Sequence, residues 1–312
     1  MTVTIAEDWK TDVEATAQHI RMRVLDHVLK NNGGYMSQAC SSAEIFATLY
    51  KKVMNLGPSI APMMPPKFNG VPGPNNPNYF RGGAYNGALE PDRDQFIFSP
   101  SHYALVLYAT LIEVGRLAEA ALDEFNRDGS TVEMIGHEHS PGNDTTTGSL
   151  GQGISQATGF ALARKLLGET GRVWMFMTDG EYQEGEIWEA VNCLSYYKLD
   201  NFGVYVDMNG QQCDGVMADV MHVEPLKDRL EAFGARVIRV DGHNVDELAE
   251  AGKYVPDGRP LFILAYTNPT CGLSLLNKRR PVLHYLRFKS EEERQEYQAF
   301  YDEMKGKTPW KS

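Results

Sequence analysis

From residue 95 onward the chain alternates short, unbroken apolar runs with amphipathic segments of helix length, and few architectures tolerate that pattern. The runs "QFIFS", "RVWMFMTDG", "FGVYVDMN", "ARVIRVDG" and "PLFILAYT" are separated by "SHYALVLYATLIEVG", "GSLGQGISQATGFALARKLLG", the stretch 184–198, "LKDRLEAFG" and "VDELAEAG". A strand that is apolar on both faces must be covered on both. The spacing therefore predicts an α/β fold, a parallel sheet with helices on both faces. In such sheets ligands sit at the carboxyl ends of the strands, where the loops are.

Upstream, residues 12–31 place Ile20, Val24, Leu25, Val28 and Leu29 at helical spacing and end at Asn31-Asn32-Gly33-Gly34, a helix stop. "SSAEIFATLYKKVM" (41–54) predicts a second helix with its serines as caps. Residues 55–94 mix prolines, glycines and asparagines with Phe68, Tyr79, Phe80 and Tyr85. That reads as a long irregular loop packed over a site, at a contact between subunits or on itself. The tail 281–312 is charged, mostly helical and too short for another domain, so residues 1–312 read as one domain.

With 312 residues and 42% apolar content the chain can bury a full core. Its net charge of −11 comes without any basic run, so nucleic acid and anionic membranes are poor partners. No segment approaches the roughly 18 apolar residues of a membrane span. The start, "MTVTIAEDWKTDVEATAQ", has early acids and no apolar core, which argues against a secretory leader. Cys40, Cys193, Cys213 and Cys271 form no CxxC pair and read as reduced thiols of a cytoplasmic protein.

The stretch 177–210, "MTDGEYQEGEIWEAVNCLSYYKLDNFGVYVDMNG", carries the most chemistry. Its helix has one apolar face: Ile187, Ala190, Val191, Leu194 and Tyr197. Asp179 and Asn209 therefore lie at the carboxyl ends of two strands joined by a crossover, and such strands are usually adjacent. Mg²⁺ takes one or two protein oxygens together with phosphates, and a carboxylate, a carboxamide and a backbone carbonyl suit it. Gly180 permits close approach of the backbone. On spacing alone the pair also reads as ordinary turn residues. "DTTTGSLGQGISQATGFALA" (144–163) puts a Thr- and Gly-rich turn before a helix, a ready anion site, but it is not GxGxxG. His102 begins a helix after a strand, and His137 and His139 lie in "IGHEHSPG". Each histidine alone reads as a loop residue; three on the ligand-binding edge read as a site.

"TDGEYQEGEIWEA…VDMNG" resembles the thiamine-diphosphate-binding fingerprint. "DRDQFIFSPSH", "GHEHSPGNDTTTGSLGQGISQATGFALA" and "RVIRVDGHNVDEL" are similar, in order, to successive segments of the amino-terminal, diphosphate-binding half of the transketolase family. The resemblance implies thiamine diphosphate and Mg²⁺ as cofactors, with Ca²⁺ or Mn²⁺ able to substitute. It puts the metal on Asp179, Asn209 and the backbone carbonyl of Gln211. Gly180, Glu181 and His102 then meet the diphosphate, and Ser149 and Leu150 lie beside the aminopyrimidine. His137 and His284 face the thiazolium and the substrate, completing a catalytic set with His102. Glu184 matches the family's glutamate at the contact that links paired active sites.

Three departures stand out. Thr178 replaces the family's opening glycine, Tyr35 in "GYMS" replaces a substrate-facing histidine, and the loop at 55–91 is longer than usual. The glutamate that activates the aminopyrimidine belongs, in the family, to a second α/β domain for which this chain has no room. The resemblance therefore implies the first subunit of a split transketolase, transferring a two-carbon ketol unit from a ketose to an aldehyde. The expected partner carries the pyrimidine-binding and carboxy-terminal domains, and the pair forms a heterotetramer acting on small sugars; such split enzymes handle unusual sugars, apulose 4-phosphate among them. Two alternatives remain open at this point: a deoxyxylulose-phosphate-synthase-like condensation of a 2-oxo acid with an aldehyde, and a catalytically silent regulatory subunit.

Overall fold

Five strands pair side by side in parallel: β1 (Gln95–Phe98), β2 (Val173–Thr178), β3 (Phe202–Met208), β4 (Arg236–Asp241) and β5 (Leu261–Tyr266), in spatial order β1-β2-β3-β5-β4. The computed structural model describes residues 9–307. Residues 1–8, the first part of the stretch 1–18 expected not to be a leader, and the tail residues 308–312 lie outside that span.

The apolar runs are continuous because each strand feeds two cores at a period of two residues. Val173, Met175 and Met177 of β2 point into one core, while Trp174 and Phe176 point into the other. Helices α1 (Trp9–Asn31), α2 (Met36–Thr48), α3 (Ala104–Glu113), α7 (Val245–Gly252) and α8 (Glu291–Lys307) cover one face. Helices α4 (Gly153–Leu167), α5 (Gly185–Tyr196) and α6 (Leu226–Ala232) cover the other. Right-handed crossovers require this division. The chain steps outward from β1 to β4 through α4, α5 and α6, then returns from β4 to β5 through α7 on the opposite face. Among the described residues no helix is long and apolar enough to cross a membrane.

Two expectations need correction. The helix predicted at 41–54 starts at Met36 after the N-cap residue Tyr35 and leaves α-geometry after Thr48. Ser41 and Ser42 are therefore not caps: they sit inside the helix, where Ser42 donates back to the Gln38 carbonyl at 2.7 Å and the Ser41 hydroxyl lies 3.2 Å from the same oxygen. In the tail, helix begins only at Glu291. Before it, Leu286–Arg287 pairs antiparallel with Gly33–Gly34, which draws His284 back against α2.

The loop at 55–94 is irregular apart from a 3₁₀ turn at Gly82–Asn86, and it is pinned to the body. Arg116 donates to the carbonyls of Tyr85 and Gly57, the Tyr85 hydroxyl donates to Pro62, and Thr131 donates to Pro66.

Close approach of β2 and β3 depends on Gly203, because a Cβ there would lie 2.5 Å from Cζ3 of the buried Trp174. Overpacking of this kind costs about 1–3 kcal/mol. Gly203→Ala is expected to lower the unfolding free energy by that amount, read by urea titration.

Candidate functional site

The β2–β3 register sets Thr178 opposite Asp207, so Asp179 and Asn209 emerge side by side just past the strand ends. Both carboxylates are sealed from solvent, Asp179 at 2% and Asp207 at 0% exposure. Asp207 is held by four side-chain donors. Ser41 Oγ lies at 2.5 Å, the Tyr103 hydroxyl at 2.7 Å and Asn209 Nδ2 at 3.1 Å, with the Thr267 hydroxyl completing the set. Asp179 instead receives the backbone N–H of Gly210 at 2.7 Å, and no cationic side chain pairs with it among the described residues. Burial first, and the Asp207 carboxylate second, hold Asp179 well above the usual carboxylate range.

That arrangement suits a divalent cation. A buried carboxylate raised by a like charge gains most from a nearby positive charge. The oxygens beside it are of the hard type such an ion prefers. Asn209 Oδ1 accepts from Gln211 N–H at 2.8 Å and keeps a second lone pair, while the buried Gln211 Oε1 has no partner. Gln212 Nε2, buried on the same hairpin, is an unpaired donor suited to an anion.

Beside the strand ends lies a cavity of about 240 Å³ whose walls include His102, Leu150, Gly180, Asn209, Gln211 and His284. The rings of His102 and His284 are 5.0 Å apart, and the Tyr35 ring sits 6.0 and 5.4 Å from them. Burial pushes His102 down to about 3, helped by His284, and burial also lowers His284. Both imidazoles are therefore neutral near pH 7, able to accept a proton or to donate one hydrogen bond.

Not every expected residue reaches that cavity. Glu181 is fully buried beneath it, accepting from Thr178 N–H at 3.0 Å, Gly151 N–H at 3.3 Å and the Ser99 hydroxyl; burial pushes it up to about 7. Together with Thr178 it forms a reciprocal capping box, which gives the threonine in place of glycine a job of its own. Ser149 is exposed on the glycine-rich turn, next to the cavity residue Leu150. Gly151, at φ +87°, lies so close to Glu184 that a Cβ would approach Glu184 Cβ to 2.7 Å. Glu184 itself is exposed at the N-cap of α5, where its side chain makes no capping bond. His137 is not among the cavity walls; its ring stacks on His139.

Sequence reasoning missed Asp207, Tyr103 and Ser41, the buried hub beneath Asn209, and the half-buried Thr267 that joins it. One cue was present: an aspartate inside the otherwise apolar run "FGVYVDM" needs buried donors.

Residues 84–272 match the family description "Transketolase, thiamine diphosphate binding domain". The chain belongs to the transketolase family. It is 32% identical over 259 residues to the 6-deoxy-6-sulfo-D-fructose transketolase subunit SqwG of Clostridium sp. (strain MSTE9), covering 82% of this chain and 84% of that one. It is 29% identical over 279 residues to an apulose-4-phosphate transketolase subunit from Actinobacillus succinogenes, covering 88% and 90% respectively. Among solved structures, the transketolase from Leishmania mexicana superposes with a TM-score of 0.68 at 22% identity, covering 95% of this chain and 45% of that one. That likeness shows the fold, and this transketolase-family chain spans less than half of the solved enzyme.

Two measurements check the site. Asp207→Ala removes the acceptor shared by four donors, of which Ser41 and Asn209 retain a second acceptor in the Gln38 carbonyl and the Tyr103 oxygen, and is expected to cost about 2–3 kcal/mol in urea unfolding. His102, with its folded value at about 3 against an ordinary 6.5, stays neutral where the unfolded chain takes up a proton. Stability is therefore lost as pH falls from 6.5 toward 3. His102→Gln is expected to flatten that acid limb by up to one proton, about 1.4 kcal/mol per pH unit.

Proposed function

We propose that this chain is the amino-terminal subunit of a split, thiamine-diphosphate-dependent transketolase that works with a partner subunit. The observation that carries the reading is the buried Asp179 beside Asn209, with no cationic side chain paired to it among the described residues, near a cavity walled by two neutral histidines. Relatives named as transketolase subunits match along most of their own length, whereas the solved transketolase is more than twice as long.

In this reading Asp179, Asn209 and the Gln211 carbonyl hold Mg²⁺, and Gly180 and His102 meet the diphosphate. Bound thiamine diphosphate supplies the electron sink that allows a ketose to be cleaved beside its carbonyl and a two-carbon ketol unit to reach an aldehyde. Leu150 and Ser149 flank the pyrimidine, and its activating glutamate comes from the partner. His284 and His137 exchange protons with substrate hydroxyls, a role typically worth about 10²- to 10⁴-fold. Tyr35, against both cavity histidines, narrows the substrate end of the site. Residues 1–312 act as one diphosphate-binding domain, in a cytoplasmic heterotetramer.

Calorimetry with thiamine diphosphate and Mg²⁺, with and without the partner, tests the proposal; absence of binding in both cases overturns it. Asp179→Ala is expected to abolish cofactor binding while thermal unfolding remains cooperative. Glu184→Ala is expected to weaken assembly with the partner in sedimentation more than it weakens cofactor affinity.

A further inference from the structure

Outside the cavity, one carboxylate serves two stacked imidazoles. The rings of His137 and His139 lie parallel within 11°, with centroids 5.1 Å apart. Glu133 Oε2 is 3.1 Å from His139 Nε2 and 3.9 Å from His137 Nε2. The other ring nitrogen of His139, Nδ1, is buried without a partner. A buried N–H left unpaired costs more than a bare lone pair, so the proton of a neutral His139 sits on Nε2 and is donated to Glu133. The far face of His139 meets Phe68, from the long loop, at 4.6 Å. His139 is thereby fixed from three sides: by Phe68, by Glu133 and by the His137 ring.

His137 is the freer member of the set. Its backbone is locked, since its N–H donates to Ser140 Oγ at 3.1 Å and its carbonyl accepts from Ser140 N–H at 2.8 Å. Its side chain remains 38% exposed, and stacking plus the shared carboxylate are what restrain it. The same loop borders the cavity rim: Gly148 is so close to Ile135 and Ser101, the neighbour of His102, that a Cβ would meet them at 3.0 and 3.2 Å.

We propose that Glu133 is a positioning residue for His137, with His139 as the plate that transmits the packing of Phe68 to that ring. Glu133 fixes the His139 plate through its 3.1 Å hydrogen bond, and its negative charge, 3.9 Å from His137 Nε2, favours the proton on that nitrogen electrostatically without a direct hydrogen bond. The long loop thus shapes the site indirectly, through a stack of rings. The inference rests on the reading of His137 as substrate-facing.

The test combines imidazole proton–nitrogen correlation spectra of the isotope-labelled full-length chain with kinetics of the enzyme reconstituted with its partner. Glu133→Gln is expected to shift the His137 resonances toward a mixture of tautomers, and Glu133→Asp to restore them in part. In the reconstituted enzyme Glu133→Gln should lower kcat by about ten-fold with cofactor affinity unchanged. Unchanged His137 resonances overturn the proposal, as does a fall in kcat matched by an equal loss of cofactor affinity. Should Glu133→Gln fail to fold, His139→Phe keeps the stack and removes the hydrogen bond that fixes Glu133; it too must move the His137 signals, and if it does not the proposal is wrong. If the unaltered pair of subunits is inactive while the His137 resonances still respond, the functional reading fails and the positioning role stands.

Discussion

Placing the Asp179 and Asp207 carboxylates beside each other at adjacent strand ends, both almost without solvent, costs free energy that the surrounding residues are arranged to offset. The two are offset differently, and that difference makes a site. Asp207 is closed by hydroxyls from α2, from the turn before α3 and from the residue after β5, together with the Asn209 amide. Among the described residues Asp179 meets backbone N–H groups and no cationic side chain, so its remaining need is for a cation. The satisfied carboxylate orients Asn209, and the unsatisfied one stands ready beside it.

The sheet supplies the geometry on which this pairing depends. Parallel register between β2 and β3 puts both tips at one edge, and Gly203 lets the strands approach over Trp174. Other polar clusters fasten the segments that reach the same edge. Arg21 pairs with Glu44, which accepts from His243 Nδ1 at 3.0 Å, while His243 Nε2 accepts from Asn268 N–H at 2.8 Å. Glu44, His243 and Cys271 converge closely enough to suggest a metal site. With both ring nitrogens of His243 engaged and Arg21 already balancing Glu44, the cluster instead anchors the segment that runs on to His284.

Much of this was legible in the chain. The apolar runs marked the four strands buried on both faces, because such strands leave an unbroken pattern. The edge strand β4 is interrupted by the exposed Arg239 and was legible from its place between two helices. Asp179 and Asn209 could be placed at strand ends by counting through one helix, and His102 by its position between strand and helix. Ser41 could not. Its serine pair looks like a helix start, and only the contact with Asp207, 166 residues away, explains why it lies inside a helix. The family resemblance put Glu181 at the diphosphate, whereas the 3₁₀ turn directs it inward to Ser99 and Gly151. The long loop carried aromatics whose destinations no local rule could give.

What the sequence determined by itself is the alternation of buried strands and helices, and hence the edge where chemistry gathers; both follow from short-range periodicity and from the crossover rule. Tertiary structure decided which polar groups are spent on the protein and which stay available. Hydrogen-bond partners of buried groups come from segments far apart in the chain, and burial itself depends on how those segments pack. That is why Asp207 closes, Asp179 stays open and His137 stands on a stack of rings.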